Sequence, residues 1–229
     1  MEIARIAELL KPYLARPEAI SAGDSHAVLT PDQLKYISIY VDMLLRWNSR
    51  INLTAIREPE EIVRRHFGES LFTAHYLFPK IDDQPPTQIL DVGSGAGFPG
   101  LPIKLWFPHA HVTLIESNHK KVAFLREVIR ILTLMDINVF SGRAEDYRGA
   151  PGDVVTLRAV EKFETILPMA IRLVAPGGLI ALLIGESQAL HARDLEPSLR
   201  WSEPVSFPES HNRILLVGRT NQNQKESNQ

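Results

Sequence analysis

ILDVGSGAGFPG, residues 89–100, decides how the rest of the chain is read. Apolar residues lead to Asp91, and Gly93, Gly95, Gly97 and Gly100 follow in quick succession. A buried strand that ends in such glycines and turns into a helix lets the backbone take positive φ and approach a ligand closely. Pro99 and Pro102 suit the first turn of that helix, where a missing N–H has no intrahelical partner to lose, and Pro108 stops it. GAGFPG, residues 95–100, matches the dinucleotide pattern G-x-G-x-x-G, and Glu116 lies about 20 residues on, where a ribose-binding acid belongs. Three features turn the reading toward S-adenosylmethionine. Asp91 precedes the glycines. A carboxylate there opposes a pyrophosphate seated on the helix N-terminus but favours a ligand that carries an ammonium and a sulfonium. Phe98 follows the glycines with apolar surface in place of another phosphate-facing glycine. Glu116 closes the second strand, where it can bind both ribose hydroxyls.

Outward from this stretch the chain alternates strand and helix. QILDVG, HVTLIES, INVFSG, GDVVTLRAV and LIALLIG read as strands, and PGLPIKLWFP, HKKVAFLREVIRILTL and FETILPMAIRLV as the helices between them, with APGG as a turn. That order predicts an α/β fold with a mostly parallel, Rossmann-like sheet whose ligands sit at the carboxyl ends of the strands. PVSFPESHNRILLVGRT is expected to add an antiparallel edge hairpin. A third cofactor piece follows the third strand: in GRAED, small Ala144 beside Glu145 suits a flat adenine ring and its exocyclic amine.

The N-terminal part reads as helical. Ile3, Ile6, Ala7, Leu10 and Leu14 fall at helical spacing. SAGDSHAVLT, residues 21–30, is expected as a loop. Thr30 looks like an N-cap with Pro31 at the first helical position, and a third helix is expected from about Pro59. PKIDDQPPT breaks the pattern, which places a boundary near Gln84. The expected organisation is an N-terminal helical region over 1–84 acting as an RNA-facing cap, a Rossmann-like domain over 85–220, and a polar, disordered tail over 221–229.

Composition narrows the classes. With no cysteine in 229 residues there is no disulfide, thiolate zinc site or cysteine nucleophile, and no metal is expected. No apolar run reaches the length of a membrane span, and the N-terminus lacks the pattern of a signal peptide, so a cytoplasmic protein, taken as a monomer, is expected. The formal net charge of -2 gives no global sign of nucleic-acid binding. Locally, however, Arg46, Arg50, Arg57, Arg64 and Arg65 crowd the second and third helices around Asn52 and His66, and a basic face is what RNA binding requires.

Together these pieces resemble the class I S-adenosylmethionine-dependent methyltransferases. WNSRINLTAIREPEEIVRRHFGESL followed by ILDVGSGAGFPGLPIKLWFP is similar to the RsmG family, formerly called glucose-inhibited division protein B, over about Tyr36 to Arg219. The resemblance implies S-adenosylmethionine-dependent methylation of N7 of a guanine in the 530 loop of 16S ribosomal RNA, with ribosomal RNA or the small subunit as partner. It implies cofactor contacts at Gly93, Phe98, Glu116, Ala144, Glu145 and Arg158, the last near the methionine end. It implies RNA-side or cleft positions at Asn52, Arg65, His66 and Arg213, and Arg57 belongs to the same basic segment. Ile184 stands where the family often carries lysine. The chemistry agrees: guanine N7 has a free in-plane lone pair, so its methylation needs orientation more than a general base. The alternatives are a methyltransferase for a small molecule or protein, a dinucleotide-dependent oxidoreductase, and a cofactor-binding module without turnover.

Overall fold

A computed structural model describes residues 1–15, 28–79, 87–159 and 162–222. The expected loop at 21–27, the boundary near Gln84 and the tail from 223 lie outside the described residues. Helix α1 (Ile3–Leu14) buries Ile6, Leu9, Leu10 and Leu14. Helix α2 (Pro31–Asn48) starts on a complete capping box: Thr30 accepts from the Gln33 amide, and the Gln33 side chain accepts from the Thr30 amide. Such a cap satisfies two otherwise orphaned donors. Thr30→Ala is therefore expected to lower stability by about 1 kcal/mol, read from the urea unfolding midpoint. The third helical stretch is not uniform. A short α3 (Pro59–Ile62) runs into a π-helical segment (Val63–Gly68) and then α4 (Glu69–Leu77). Within the π segment, Gly68 lets the ring of Tyr13 lie close against the helix backbone.

The sheet follows. Strands β1 (Gln88–Val92), β2 (His111–Glu116), β3 (Ile137–Ser141), β4 (Gly152–Arg158) and β5 (Val174–Gly185) pair in parallel, in the order β3-β2-β1-β4-β5. Helices α5 (Gly100–Trp106), α6 (His119–Ile131) and α7 (Phe163–Ile171) make the crossovers, with a 3₁₀ turn at Ala144–Asp146 after β3. Helix α8 (Gln188–Leu195) follows β5. Strand β8 (Arg213–Arg219) then lies antiparallel against β5, and the short β6 (Arg200–Trp201) and β7 (Val205–Ser206) pair antiparallel with β8. The order reverses direction at β1 and β4, which makes the carboxyl ends of those strands the crevice of the fold.

Two expectations change here. APGG is not a turn between elements but part of β5, where Gly177 has φ 76° and the pairing with β4 shifts register between Gly152 and Val154. Its turn-forming residues build an irregularity inside a strand. Helix α8 carries only a weak apolar face and was not expected. The N-terminal helices share one continuous core with the sheet, in which Ile6, Leu10, Ile37, Leu44 and Leu71 pack in the same cluster as Ile89, Leu114 and Phe124. None of the described helices is long and apolar enough to cross a membrane.

Candidate active site

The loop after β1 has the backbone its glycines require. Gly93, Gly95 and Gly97 sit at φ 70°, 59° and 91°, values that cost an L-residue roughly 1–2 kcal/mol each. At Gly97 a side chain would also strike Leu101 and the Tyr40 hydroxyl. Asp91 organises the loop from beneath. One carboxylate oxygen accepts from the Thr156 hydroxyl on β4 at 2.8 Å, and the other from the Gly100 amide at the start of α5 at 3.1 Å. Its backbone carbonyl accepts from Ser94 Oγ at 2.8 Å. The carboxyl is 1% exposed, and burial pushes its pKa up to about 6 against the lowering by these donors. The sequence placed Asp91 against a cationic ligand. The structure instead gives both its oxygens protein donors, so its visible role is to anchor the loop. It also fills the α5 N-terminus, the place a pyrophosphate would need, which counts against a dinucleotide.

Phe98 is likewise turned inward. It is 5% exposed and stacks on Tyr40 (centroids 5.3 Å apart) and on His66 (4.8 Å), with Phe67 edge-on at 5.1 Å. The Tyr40 hydroxyl donates to the Ala96 carbonyl. The expected cofactor-facing ring is instead what pins the glycine loop to α2 and to the π segment.

Beside the loop, a cleft of about 180 Å³ is lined by Gly93, Glu116, Ala144, Glu145 and, from α7, Ile166 and Met169. The cleft is smaller than the roughly 300–1,000 Å³ of whole-ligand pockets and suits one half of a nucleoside-bearing cofactor. Glu116, at the end of β2, accepts from the Gly95 amide at 2.9 Å and the Asn118 amide at 2.7 Å. A carboxylate offers about four lone-pair sites, so two remain. Ala144 is buried and Glu145 exposed in the 3₁₀ turn.

At the end of β4 lies a charge cluster whose centre was not singled out from the sequence. Glu69, 1% exposed, is reached by Arg213 at 2.9 and 3.0 Å, by Arg158 at 3.2 Å and by Arg65 at 3.3 Å. Three guanidiniums face one carboxylate, and the more exposed Glu61 shares only Arg65, at 3.6 Å. Arg158 also donates to the Arg65 carbonyl at 2.9 Å, yet its buried Nε has no partner among the described residues. Burial pulls the Arg158 pKa below its usual value and Glu69 opposes that shift. A guanidinium stays charged regardless. The cluster is thus an anion-attracting wall at the carboxyl end of the sheet. One signal could have exposed Glu69: it is the sole Asp, Glu, Lys or Arg in ESLFTAHYL, a stretch apolar enough to be buried, as Glu69–His75 are, and a carboxylate there must be paired.

His66 joins this wall to the rest of the site. Arg158 lies 2.9 Å from its Nδ1, and Thr54 Oγ1 lies 2.8 Å from its Nε2. A guanidinium only donates, so Nδ1 must present its lone pair and Nε2 must carry the proton toward Thr54. Thr54 in turn belongs to the loop after α2 that the Asn48 side chain fastens through the Leu53 and Thr54 amides. Burial, then the charges of Arg158, Arg65 and Arg213, hold the His66 pKa well below its usual value. The imidazole is therefore neutral when folded, whereas in the unfolded chain it takes a proton below about pH 6.5. Stability is lost as pH falls through that value. Asp91, with its raised pKa, acts in the opposite sense below about pH 6. His66→Gln, which can still accept and donate, should remove the His66 loss. Between pH 7.5 and 6 the fall in unfolding free energy should shrink by about 1 kcal/mol or less. An unchanged slope would assign the proton uptake to another group.

The residues expected to face RNA divide. Asn52 and Arg57 are exposed, and Arg57 donates to the Asn48 carbonyl at 3.0 Å. Arg65 is half exposed, whereas His66 and Arg213 turn inward to Arg158 and Glu69. Ile184 is buried among apolar residues of α7, α8 and the sheet, Leu167 and Ala189 among them, so this chain offers no lysine there. Among the described residues no group of metal-ligating side chains comes together.

The sheet order, the antiparallel β8 and the crevice at β1 and β4 define a class I S-adenosylmethionine-dependent methyltransferase fold. Solved structures share it. A putative O-methyltransferase from Klebsiella pneumoniae matches with a TM-score of 0.58 at 15% identity, over 80% of this chain and 90% of that one. P. horikoshii TYW2 in complex with MeSAdo matches with 0.56 at 17% identity, over 69% and 63%. The family model for rRNA small subunit methyltransferase G matches residues 33–215, and the chain belongs to that family. It is 38% identical over 197 residues to the Ribosomal RNA small subunit methyltransferase G of Roseiflexus castenholzii, covering 81% of this chain and 82% of that protein. It is 39% identical over 160 residues to the protein of the same name from Bacillus subtilis, covering 68% of this chain but 65%, just under two thirds, of the relative's length.

Proposed function

We propose that this chain uses S-adenosylmethionine to methylate N7 of a guanine in the 530 loop of small-subunit ribosomal RNA, as a cytoplasmic monomer. The observation that carries the reading is the pairing of a positive-φ glycine loop with Glu116 at the end of β2, while Asp91 occupies the helix N-terminus. The residues present fit the cofactor. Gly93, Gly95 and Gly97 give it a close backbone. The remaining lone pairs of Glu116 suit ribose hydroxyls, and Ala144 and Glu145 suit adenine. The unpartnered Nε of Arg158 suits the amino-acid carboxylate. The cofactor would supply an electrophilic methyl group. The chain's own work is to orient the base and exclude water; guanine N7 has no proton to lose, and Glu69, held by three arginines, is not needed as a base.

The test is transfer of labelled methyl from S-adenosylmethionine to small subunits or naked 16S RNA that lack the modification. Labelled 7-methylguanine is expected. If neither substrate yields it while a control enzyme does under the same conditions, the reading fails.

A further inference from the structure

A groove of about 530 Å³ lies between the C-terminal end of α2 and the second half of α6, apart from the cleft at Glu116. Met43, Trp47, Ile51 and Ile131 give it an apolar floor, and Arg46 and Arg50 stand at its rim. Trp47 rests with its ring 5.6 Å from Phe124 and is held in place by that contact. The local charges do not cancel. Glu127, also on the groove, is engaged by Arg130 at 3.0 and 2.9 Å, and Asp42 lies 3.4 Å from the N-terminal amine. Arg46 spends only Nε, on the Asp42 carbonyl at 3.3 Å. Arg50 is exposed, and no hydrogen bond or ion pair involves its side chain among the described residues. Two guanidiniums thus remain uncompensated over an indole, on a chain whose net charge is -2.

An aromatic floor with cations along its edge suits single-stranded nucleic acid: the base stacks, the phosphates meet the guanidiniums, and no base sequence is demanded. A duplex offers no unstacked base to such a groove. An acidic peptide would use the arginines but leave the indole floor without a flat partner. The position also fits. Arg50 and Ile51 open the same loop that places Thr54 on His66, and the four residue steps from 50 to 54 span at most about 14 Å. A strand whose target base enters the site at His66 and Arg158 therefore passes within reach of the groove.

We propose that this groove is a second RNA subsite, which holds one unpaired nucleotide flanking the target guanine with its base on Trp47 and its phosphates on Arg46 and Arg50. The proposal rests on the ribosomal RNA reading above and adds a site to it. The experiment compares full-length wild type with Arg50→Glu, Trp47→Leu and the charge control Arg200→Glu, at an exposed position of strand β6. It measures direct binding of a single-stranded fragment of the 530 loop by fluorescence anisotropy, and methylation of naked RNA and of small subunits. Arg50→Glu and Trp47→Leu should each weaken RNA binding and raise KM for RNA by roughly 10-fold, with kcat and S-adenosylmethionine affinity within about twofold of wild type. Arg200→Glu should match wild type. Arg50→Ala should lower the salt slope of log Kd by about one.

Unchanged RNA affinity in both variants would overturn the proposal, as would a fall in kcat at constant KM, which marks a structural role. A defect confined to assembled subunits, with naked RNA bound as by wild type, would overturn it in favour of a protein partner. Wild type that binds RNA through Arg50 and Trp47 but makes no 7-methylguanine would sink the methylation reading and leave the groove standing. Wild type that binds no RNA fragment would sink the subsite, and the methylation reading would fall with it only if neither small subunits nor naked RNA yielded 7-methylguanine.

Discussion

Glu69→Ala is expected to lower the unfolding free energy by about 3–5 kcal/mol, the usual consequence of removing one partner from a buried ion pair. The size follows from what would be left behind. Arg158 and Arg213 are 9% and 17% exposed and share Glu69 as their carboxylate. Without it, two largely buried guanidiniums face each other with no carboxylate between them. The loss should appear as a lower urea midpoint with little change in slope. Glu69→Gln keeps the size and one acceptor oxygen, so it should lose less stability than Glu69→Ala. A drop below about 1 kcal/mol for Glu69→Ala would mean that the arginines turn outward and that Glu69 is not the centre of the cluster.

Gly93→Arg is expected to reduce S-adenosylmethionine affinity by roughly two orders of magnitude or more while the protein remains folded. Gly93 holds φ 70°, so any side chain strains the loop by roughly 1–2 kcal/mol. It also lines the cleft with Glu116 and Ala144, and an arginine side chain would occupy much of its volume of about 180 Å³. Titration calorimetry with S-adenosylmethionine reads the binding, and circular dichroism checks the fold. Gly93→Ala separates the two causes, because it brings the strain with little of the bulk. Affinity unchanged in Gly93→Arg would remove this loop from the cofactor site.

The sequence showed most of what single residues dictate locally and little of what distant segments decide between them. The glycine loop was legible because positive φ narrows the choice of residue. The parallel sheet and its antiparallel edge were legible because strand and helix periods alternate along the chain. Thr30 was legible because a cap lies within one turn of its partner. Asp91 and Phe98 mark the limit. An acid and an aromatic ring were recognised as interacting groups, but the partners that claim them, Thr156 for Asp91 and Tyr40 and His66 for Phe98, lie far along the chain. Nothing local separates a ring that faces a ligand from one that faces a helix. Glu69 escaped for the same reason. Its nearest charged neighbour in sequence, Arg65, is only half of the story, since Arg158 and Arg213 arrive from two strands. APGG shows the converse, with turn residues in the right place and the wrong element.

The π segment at Val63–Gly68 makes deletions in this helix unequal according to where they fall. An ordinary helix advances about 100° per residue, and the wider turn takes in about one residue more without breaking the helix. Deleting one residue inside it would let the turn close to regular winding, with Ile62 and Glu69 keeping roughly the faces they now occupy. The loss would fall on the residues of the turn itself, His66 among them, whose places on Thr54 and Arg158 depend on the wider path. Deleting one residue from the regular turns of Glu69–Leu77 has no such slack and would rotate all that follows by about 100°. The wide turn is thus the one part of the stretch from 59 to 77 that can lose a residue and leave its two flanks in register.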